Sequence, residues 1–236
     1  QLSVVVPVHN EAGNIRPLVE EIVTALRGCV DQFEIVYVDD ASSDSSLAEL
    51  DELKREVVEL RVVRHDRQCG QSTALCTGVL YARYSWIATL DGDGQNDPAD
   101  IPKLLERLEQ DSTLQLLAGW RVKRNDNWLR RLSSKSANGI RSTLLRDDTP
   151  DTGCGLKLFD RALFLRMPYF DHMHRFLPAL VKRAGGKIES VPVNHRPRVR
   201  GTSKYGVLNR LRLGITDLCG VMWLNRRAHS PGVVEL

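Results

Sequence analysis

The chain has 236 residues, 42% hydrophobic and 27% charged, with a formal net charge of +3. That length holds one large domain or two small ones, and the composition excludes disorder over most of it. The net charge is too small to argue for nucleic acid, and the basic residues are not interleaved with aromatics as in a nucleic-acid reader.

Leu2–Val8 (LSVVVPV) is a short Val-rich run that reads as a buried strand, broken by Asn10, Glu11 and Gly13. Ile15, Leu18, Val19, Ile22, Val23 and Leu26 follow at the spacing of one helix face. Residues 33–38 (FEIVYV) form a second strand that ends at Asp39-Asp40. Ser42 to Asp44 offer caps for a helix running to about Val57. Leu60–Arg64 is a third strand, 71–83 a helix, and 86–90 a fourth strand ending at Asp91. Pro98 opens a helix to about Glu109, and 114–119 is a fifth strand. Strand and helix alternate throughout, which predicts an α/β fold: a mostly parallel, Rossmann-like sheet with helices on both faces. Ligands bind such sheets beyond the carboxyl ends of the strands, where both acidic clusters fall.

After residue 120 the alternation weakens and Arg, Ser and Gly become frequent. The expected organisation is a catalytic domain over 1–205, with a nucleotide-sugar half to about 120 and acceptor elements over 121–205 laid on the sheet. A helix and tail follow over 206–236. Leu208, Leu211, Ile215, Leu218 and Met222 make that helix an amphipathic candidate, flanked by Arg210, Arg212, Arg226 and Arg227. It either lies on an anionic membrane surface or packs on the domain. No run reaches the ~18 apolar residues of a spanning helix, and no signal peptide is visible. The five cysteines form no C-x-x-C pair or metal-type cluster, so they are expected to be reduced thiols.

Asp91-Gly92-Asp93-Gly94-Gln95 is the sharpest chemical feature. Two carboxylates two residues apart at a strand end can converge on one hard divalent cation, with Gln95 adding a neutral oxygen. The bland alternative is an acidic turn that caps the helix beginning at Pro98. Asp39 and Asp40 either bind a donor's base and ribose or cap the next helix. Asn10 and Glu11 could line the same crevice. His174-Arg175 and His195 are candidates for a lipid phosphate, against surface or structural roles. Between Arg196 and Arg212 stand six Lys or Arg and no acid, which calls for an anionic partner or a solvated face.

VVVPVHNE, YVDDASSD, ATLDGDGQNDP, AGWR, RRLSSKSAN, DTGCG and RVRGTSKY occur in that order between Leu2 and Lys204. Together they resemble family 2 glycosyltransferases of the dolichol-phosphate mannose synthase type, and more closely the bacterial polyprenyl-phosphate glycosyltransferases. The resemblance implies a GT-A fold and an inverting transfer from a UDP- or GDP-linked sugar to a polyprenyl phosphate. It implies a donor crevice at Pro7, Asn10, Glu11 and Asp39, and a Mg²⁺ or Mn²⁺ site at Asp91, Asp93 and Gln95. Arg121 and Arg130 match basic positions near the phosphates. Arg198, Arg200, Ser203 and Lys204 match a segment that closes over the diphosphate. Asp151 matches the acid of a D-x-x-S-G-F motif in which Cys154 and Leu156 here replace Ser and Phe. The implied partners are a nucleotide sugar, a polyprenyl phosphate and a membrane surface, with the protein peripheral on the cytoplasmic face. A GT-A enzyme with a soluble or glycan acceptor, a nucleotidyltransferase, and a non-catalytic nucleotide-sugar-binding subunit are the alternatives.

Overall fold

A computed structural model of the protein describes residues 1–122, 141–142, 144–145, 147, 149–197 and 207–227, the stretch 207–213 by its backbone alone. β1 (Leu2–Val8) is buried throughout except at Pro7, as its unbroken apolar run requires of a strand covered on both faces. It pairs in parallel with β2 (Phe33–Asp39) on one side and β4 (Trp86–Thr89) on the other. β3 (Leu60–Arg64), β5 (Leu114–Arg121), β6 (Lys157–Asp160) and β7 (Lys187–Val193) complete a sheet of order β3-β2-β1-β4-β6-β5-β7. Only β6 runs antiparallel to its neighbours.

Helices cover both faces. α1 (Ile15–Leu26) buries the six apolar residues that its periodicity marks. With α2 (Ser46–Glu56) and α4 (Ile101–Gln110) it builds one core, including Leu18, Ile22, Leu50 and Leu104. α3 (Gln71–Tyr81), α5 (Arg161–Leu165), α6 (Leu177–Arg183) and α7 (Val207–Arg226) cover the other face, with Val79, Phe164, Leu180 and Val221 in its core. A Cβ on Gly78 would stand 2.3 Å from Val5 Cγ1, so α3 lies directly on β1 and its first residue, Gln71, is held over the strand ends. The chain winds from β1 outward to β3 and then returns to β4 beside β1. That reversal opens a crevice at the carboxyl ends of β1 and β4.

The structure departs from the sequence expectation in three places. Residues 121–205 do not simply lie on the sheet, since β6 and β7 are strands of it. β6 is only four residues long, too short to show a period, and β7 carries Pro192, which marks an edge strand. α2 starts at Ser46 instead of near Ser42, because Asp44 and Ser42 are spent on the loops: Ala12 N donates to Asp44 and Asn10 N to Ser42 Oγ.

The third departure concerns α7. Its stripe does not form one free apolar face. Val221 is fully buried, and Leu218 and Met222 pack on the second core with it, whereas Ile215 is 56% exposed and Trp223 60%. Leu208, Leu211, Arg210 and Arg212 lie outside the described side chains. Among the described residues no helix is long and apolar enough to cross a membrane.

Candidate active site

Parallel pairing brings Val8 level with Asp39 and places the loop after β4 beside both. The fit there is close. A Cβ on Gly92 would lie 2.4 Å from Val8 Cγ1, and one on Gly155 would lie 2.3 Å from Asp91 Oδ2 and 2.6 Å from Asn96 Oδ1. Both glycines are therefore fixed by space, and Gly155 keeps open the place of the Asp91 carboxylate.

Asp91 N donates to Asn96 Oδ1 at 3.0 Å, and Asp91 Oδ1 accepts from Gln71 Nε2 at 2.8 Å. Asp93 Oδ1 accepts from Gln95 N at 3.1 Å, which folds the loop back so that the two acids share one side of it. The Gln95 amide nitrogen reaches the carbonyl of Arg196 at 3.4 Å, leaving its oxygen as the end suited to a cation. Burial, then the nearby charge of Asp93, push the Asp91 carboxyl up to about 6. Two carboxylates held together at that cost are a site that a divalent cation relieves, and an all-oxygen set suits Mg²⁺ or Mn²⁺. The residues fit the ion that the resemblance implies. Gly155→Ala is expected to abolish Mn²⁺ binding in calorimetry. Its overpacking cost is about 1–3 kcal/mol, read as a modest drop in Tm.

The donor-crevice residues divide into bracing and open groups. Asn10 adopts a left-handed φ of 56°, and its Oδ1 accepts from Ser43 N at 2.7 Å and Asp44 N at 3.3 Å. Glu11 Oε2 accepts from Asn14 Nδ2 at 2.9 Å. Asn10 thereby ties the loop after β1 to the loop after β2, while the Glu11 side chain braces the first loop from within and its N–H donates to Ser46 Oγ, so both residues shape the crevice. Pro7 lines the cavity beside Asp91. Asp39 is fully buried; its Oδ1 accepts from Ser42 N, whereas Oδ2 has no hydrogen-bond partner and only Arg64 Nε at 3.5 Å. Asp40 neither caps α2 nor faces the crevice: its oxygens accept from Cys69 N, Gly70 N and His65 Nδ1. Cys69 thus joins Asp40 and His65 in a three-residue cluster with ligand atoms within 4.8 Å, although the cysteines show no such grouping in sequence. The carboxylate is already spent on the loop, and His65 Nε2 on Thr77 Oγ1, so the cluster reads as bracing.

Arg121, at the end of β5, meets Asp151 in a two-point pair: Nε to Oδ2 at 2.7 Å and an outer nitrogen to Oδ1 at 2.9 Å. Asp151 is 3% exposed. Burial alone lowers the Arg121 pKa, but the hydrogen bonds it donates to Asp151 outweigh that and hold the guanidinium above its ordinary value. Lys157, which the sequence reading passed over, is also buried, and its ammonium donates to the carbonyl of Cys154. A lysine opening a short strand carries no sequence signal of its own. Lys157, Asp91 and Gln71 share a cavity of about 140 Å³ with Thr152, His174 and Arg175. His174 is structural on one side, with Nδ1 2.7 Å from Ser72 Oγ.

Arg130, Arg198, Arg200, Ser203 and Lys204 lie outside the described residues. The stem of the basic segment is described. Arg196 pairs with Glu21 at 2.6 Å and Asp97 at 2.7 Å, its N–H reaches Gln95 O, and His195 bridges to Asn96. Arg196 is thus a strut that ties its own backbone to the metal-type loop.

The model of glycosyl transferase family 2 matches residues 3–169. A dodecaprenyl-phosphate galacturonate synthase of Rhizobium johnstonii is 38% identical over 98% of this chain and 69% of its own length. An undecaprenyl-phosphate 4-deoxy-4-formamido-L-arabinose transferase of Edwardsiella ictaluri is 32% identical over 90% of this chain and 65% of its own. Both relatives therefore extend well beyond the stretch they share with this chain. Among solved structures, glucosyl-3-phosphoglycerate synthase from Mycobacterium tuberculosis, with Mn²⁺, UDP and phosphoglyceric acid, superposes with TM-score 0.71 at 18% identity, covering 99% of this chain and 81% of that one. A mannosyltransferase from Pyrobaculum calidifontis, with GDP-Man and Mn²⁺, superposes with TM-score 0.67 at 21% identity, covering 98% and 65%. These likenesses bear out the fold, and with the family match over most of the chain they settle what it is: a glycosyltransferase belonging to family 2.

Proposed function

We propose that this protein transfers a sugar from a nucleotide diphosphate donor to a polyprenyl phosphate, with inversion at the anomeric carbon. The observation that carries this reading is that both named relatives are polyprenyl-phosphate sugar transferases, while this chain keeps the acidic loop at the β1/β4 crevice intact. Asp91, Asp93 and Gln95 would hold a Mg²⁺ or Mn²⁺ ion, which when bound offsets the charge that grows on the departing diphosphate. The unpartnered Asp39 oxygen suits an N–H of the donor's base or a ribose hydroxyl. Arg130, Arg198, Arg200, Ser203 and Lys204 are the proposed diphosphate clamp, with Arg giving forked contacts and Lys a point charge.

The acceptor needs little activation. A phosphate monoester has its second pKa near ~6, so it is mostly dianionic at neutral pH. Both Asp151 oxygens are engaged by Arg121, so this acid serves by positioning the arginine instead of taking a proton. The acceptor's tail lives in the bilayer, so the enzyme works at a membrane surface, on its cytoplasmic face if the donor is the cytosolic nucleotide sugar.

The full chain, given Mn²⁺, UDP- and GDP-linked sugars and a short polyprenyl phosphate, is expected to form a sugar phosphate that extracts into organic solvent. From an α-linked donor the product's anomeric proton in NMR should report a β linkage. A water-soluble product would overturn the acceptor, and retention would overturn direct displacement.

A further inference from the structure

The cavity beside Asp91 has an unbalanced charge. Among its lining residues Asp91 is the one carboxylate, faced by Lys157 and Arg175, and the remaining polar groups include Gln71, Thr152 and His174. Lys157 is 4% exposed and donates to the carbonyl of Cys154, so an ammonium with three donors keeps capacity for more. Arg175 is half-buried, and its guanidinium meets no hydrogen-bond or ion-pair partner among the described residues. Asp91 is the one acid opposite, and it is the proposed ligand of the cation; with its charge taken up by that ion, the guanidinium and the ammonium call for an anion from a ligand.

His174 adds a third donor. Its Nδ1 lies 2.7 Å from Ser72 Oγ, and with the hydroxyl donating there the ring proton is on Nε2. Burial first, then the charges of Arg175 and Lys157, hold His174 well below the ordinary imidazole value, so the ring is neutral and one-directional.

This cavity adjoins the acids proposed to hold the cation that the donor diphosphate binds. The group next to that diphosphate is the sugar. We propose that Lys157 and Arg175 read an anionic substituent on the transferred sugar, the carboxylate of a hexuronic acid, with His174 as a supporting donor. The inference rests on the donor reading above and narrows it to a substrate class. The fork of Arg175 matches a carboxylate in two contacts, and Lys157 adds a point charge from the cavity floor. A neutral hexose would leave both cations unpaired, and sites built for a polar group reject analogues that lack it. An acceptor phosphate is the other oxyanion that could enter, and the test separates the two.

Binding is measured by calorimetry with Mn²⁺ for UDP, GDP, and the hexuronate and matching hexose of whichever base binds, such as UDP-galacturonate against UDP-galactose and UDP-glucuronate against UDP-glucose. The wild-type chain is expected to hold one hexuronate at least about tenfold tighter than its neutral hexose. Arg175→Ala should shrink that preference to about threefold or less while UDP or GDP affinity stays within about twofold. Lys157→Met, which keeps the volume, should act alike, and because Arg175 has no partner to lose among the described residues, its variant decides if Lys157→Met fails to fold. Equal binding of hexose and hexuronate, or a preference that survives Arg175→Ala, overturns the proposal. So does a variant that raises the KM for a short polyprenyl phosphate and leaves the sugar preference alone, since the anion would then be the acceptor's. If neither nucleotide binds with Mn²⁺, it is the donor reading that fails.

Discussion

Asp93→Ala is expected to lower sugar transfer by about a hundredfold to a thousandfold, the loss that follows when a group stabilising developing charge is removed. The fold should survive. Asp93 is partly exposed, and its hydrogen bond to Gln95 N shapes only its own loop, so the melting temperature should move little. Mn²⁺ titration of the variant should show lost affinity in parallel with lost turnover. Unchanged activity in the variant, or in excess chelator, would remove the cation from the site. The same site predicts a pH dependence. Asp91 must be ionised to bind a cation, and burial with the charge of Asp93 pushes its pKa up to about 6. A proton therefore competes with the cation below that value, and Mn²⁺ affinity should fall about tenfold per pH unit under pH 6 while staying flat above it. Without the cation the sign reverses. An acid whose folded pKa lies above its unfolded value binds its proton more tightly when folded, so the ion-free protein should gain stability as pH falls from 7 toward 5.

The fold's first half was plain in the sequence because its elements are regular. The α1 stripe repeats at helical spacing for three turns, and β2 and β4 run straight into the acids Asp39 and Asp91. The alternation of types then fixed a parallel sheet and put Asp39 and Asp91 at its ligand-binding edge. The second half lost that regularity. β6 has four residues and its own helix immediately behind it, with Asp160 serving as the cap through Leu163 N. Nothing at that length distinguishes a strand from a loop, and Lys157 was hidden with it. Residue roles were harder still. Asn10 and Asp40 have the side chains of ligand groups, but backbone N–H groups of the neighbouring loops claim their oxygens. Only three-dimensional partners tell a bracing amide from a binding one. The α7 stripe was legible only in part, for a related reason: Leu218 and Met222 do pack on the domain, whereas Ile215 stays exposed. Its apolar residues mark which side can be buried, but Val221, off the stripe, fixes the side that is.

Arg121→Ala and Asp151→Ala should each be severe, and for different reasons. The pair is buried and two-pointed, so removing either partner leaves a charge without its mate, at a cost of about 3–5 kcal/mol. For Asp151→Ala the stranded group is a guanidinium beside the cavity, and Arg121 should swing or bind an anion from solution. For Arg121→Ala the stranded group is a carboxylate that is 3% exposed, and it can escape by taking up a proton. Asp151→Ala stability should therefore respond to added phosphate or sulfate, and Arg121→Ala stability to acid. Both should reduce transfer strongly. Asp151→Asn separates positioning from base catalysis. If the acid holds Arg121 in place, the asparagine keeps one acceptor for Nε, turnover falls only about tenfold, and the pH–rate profile keeps its shape. If the acid takes the acceptor's proton, the asparagine abolishes the ascending limb of the pH–rate profile. The distances favour the first result, because each carboxylate oxygen is already engaged by the guanidinium that it would hold in place.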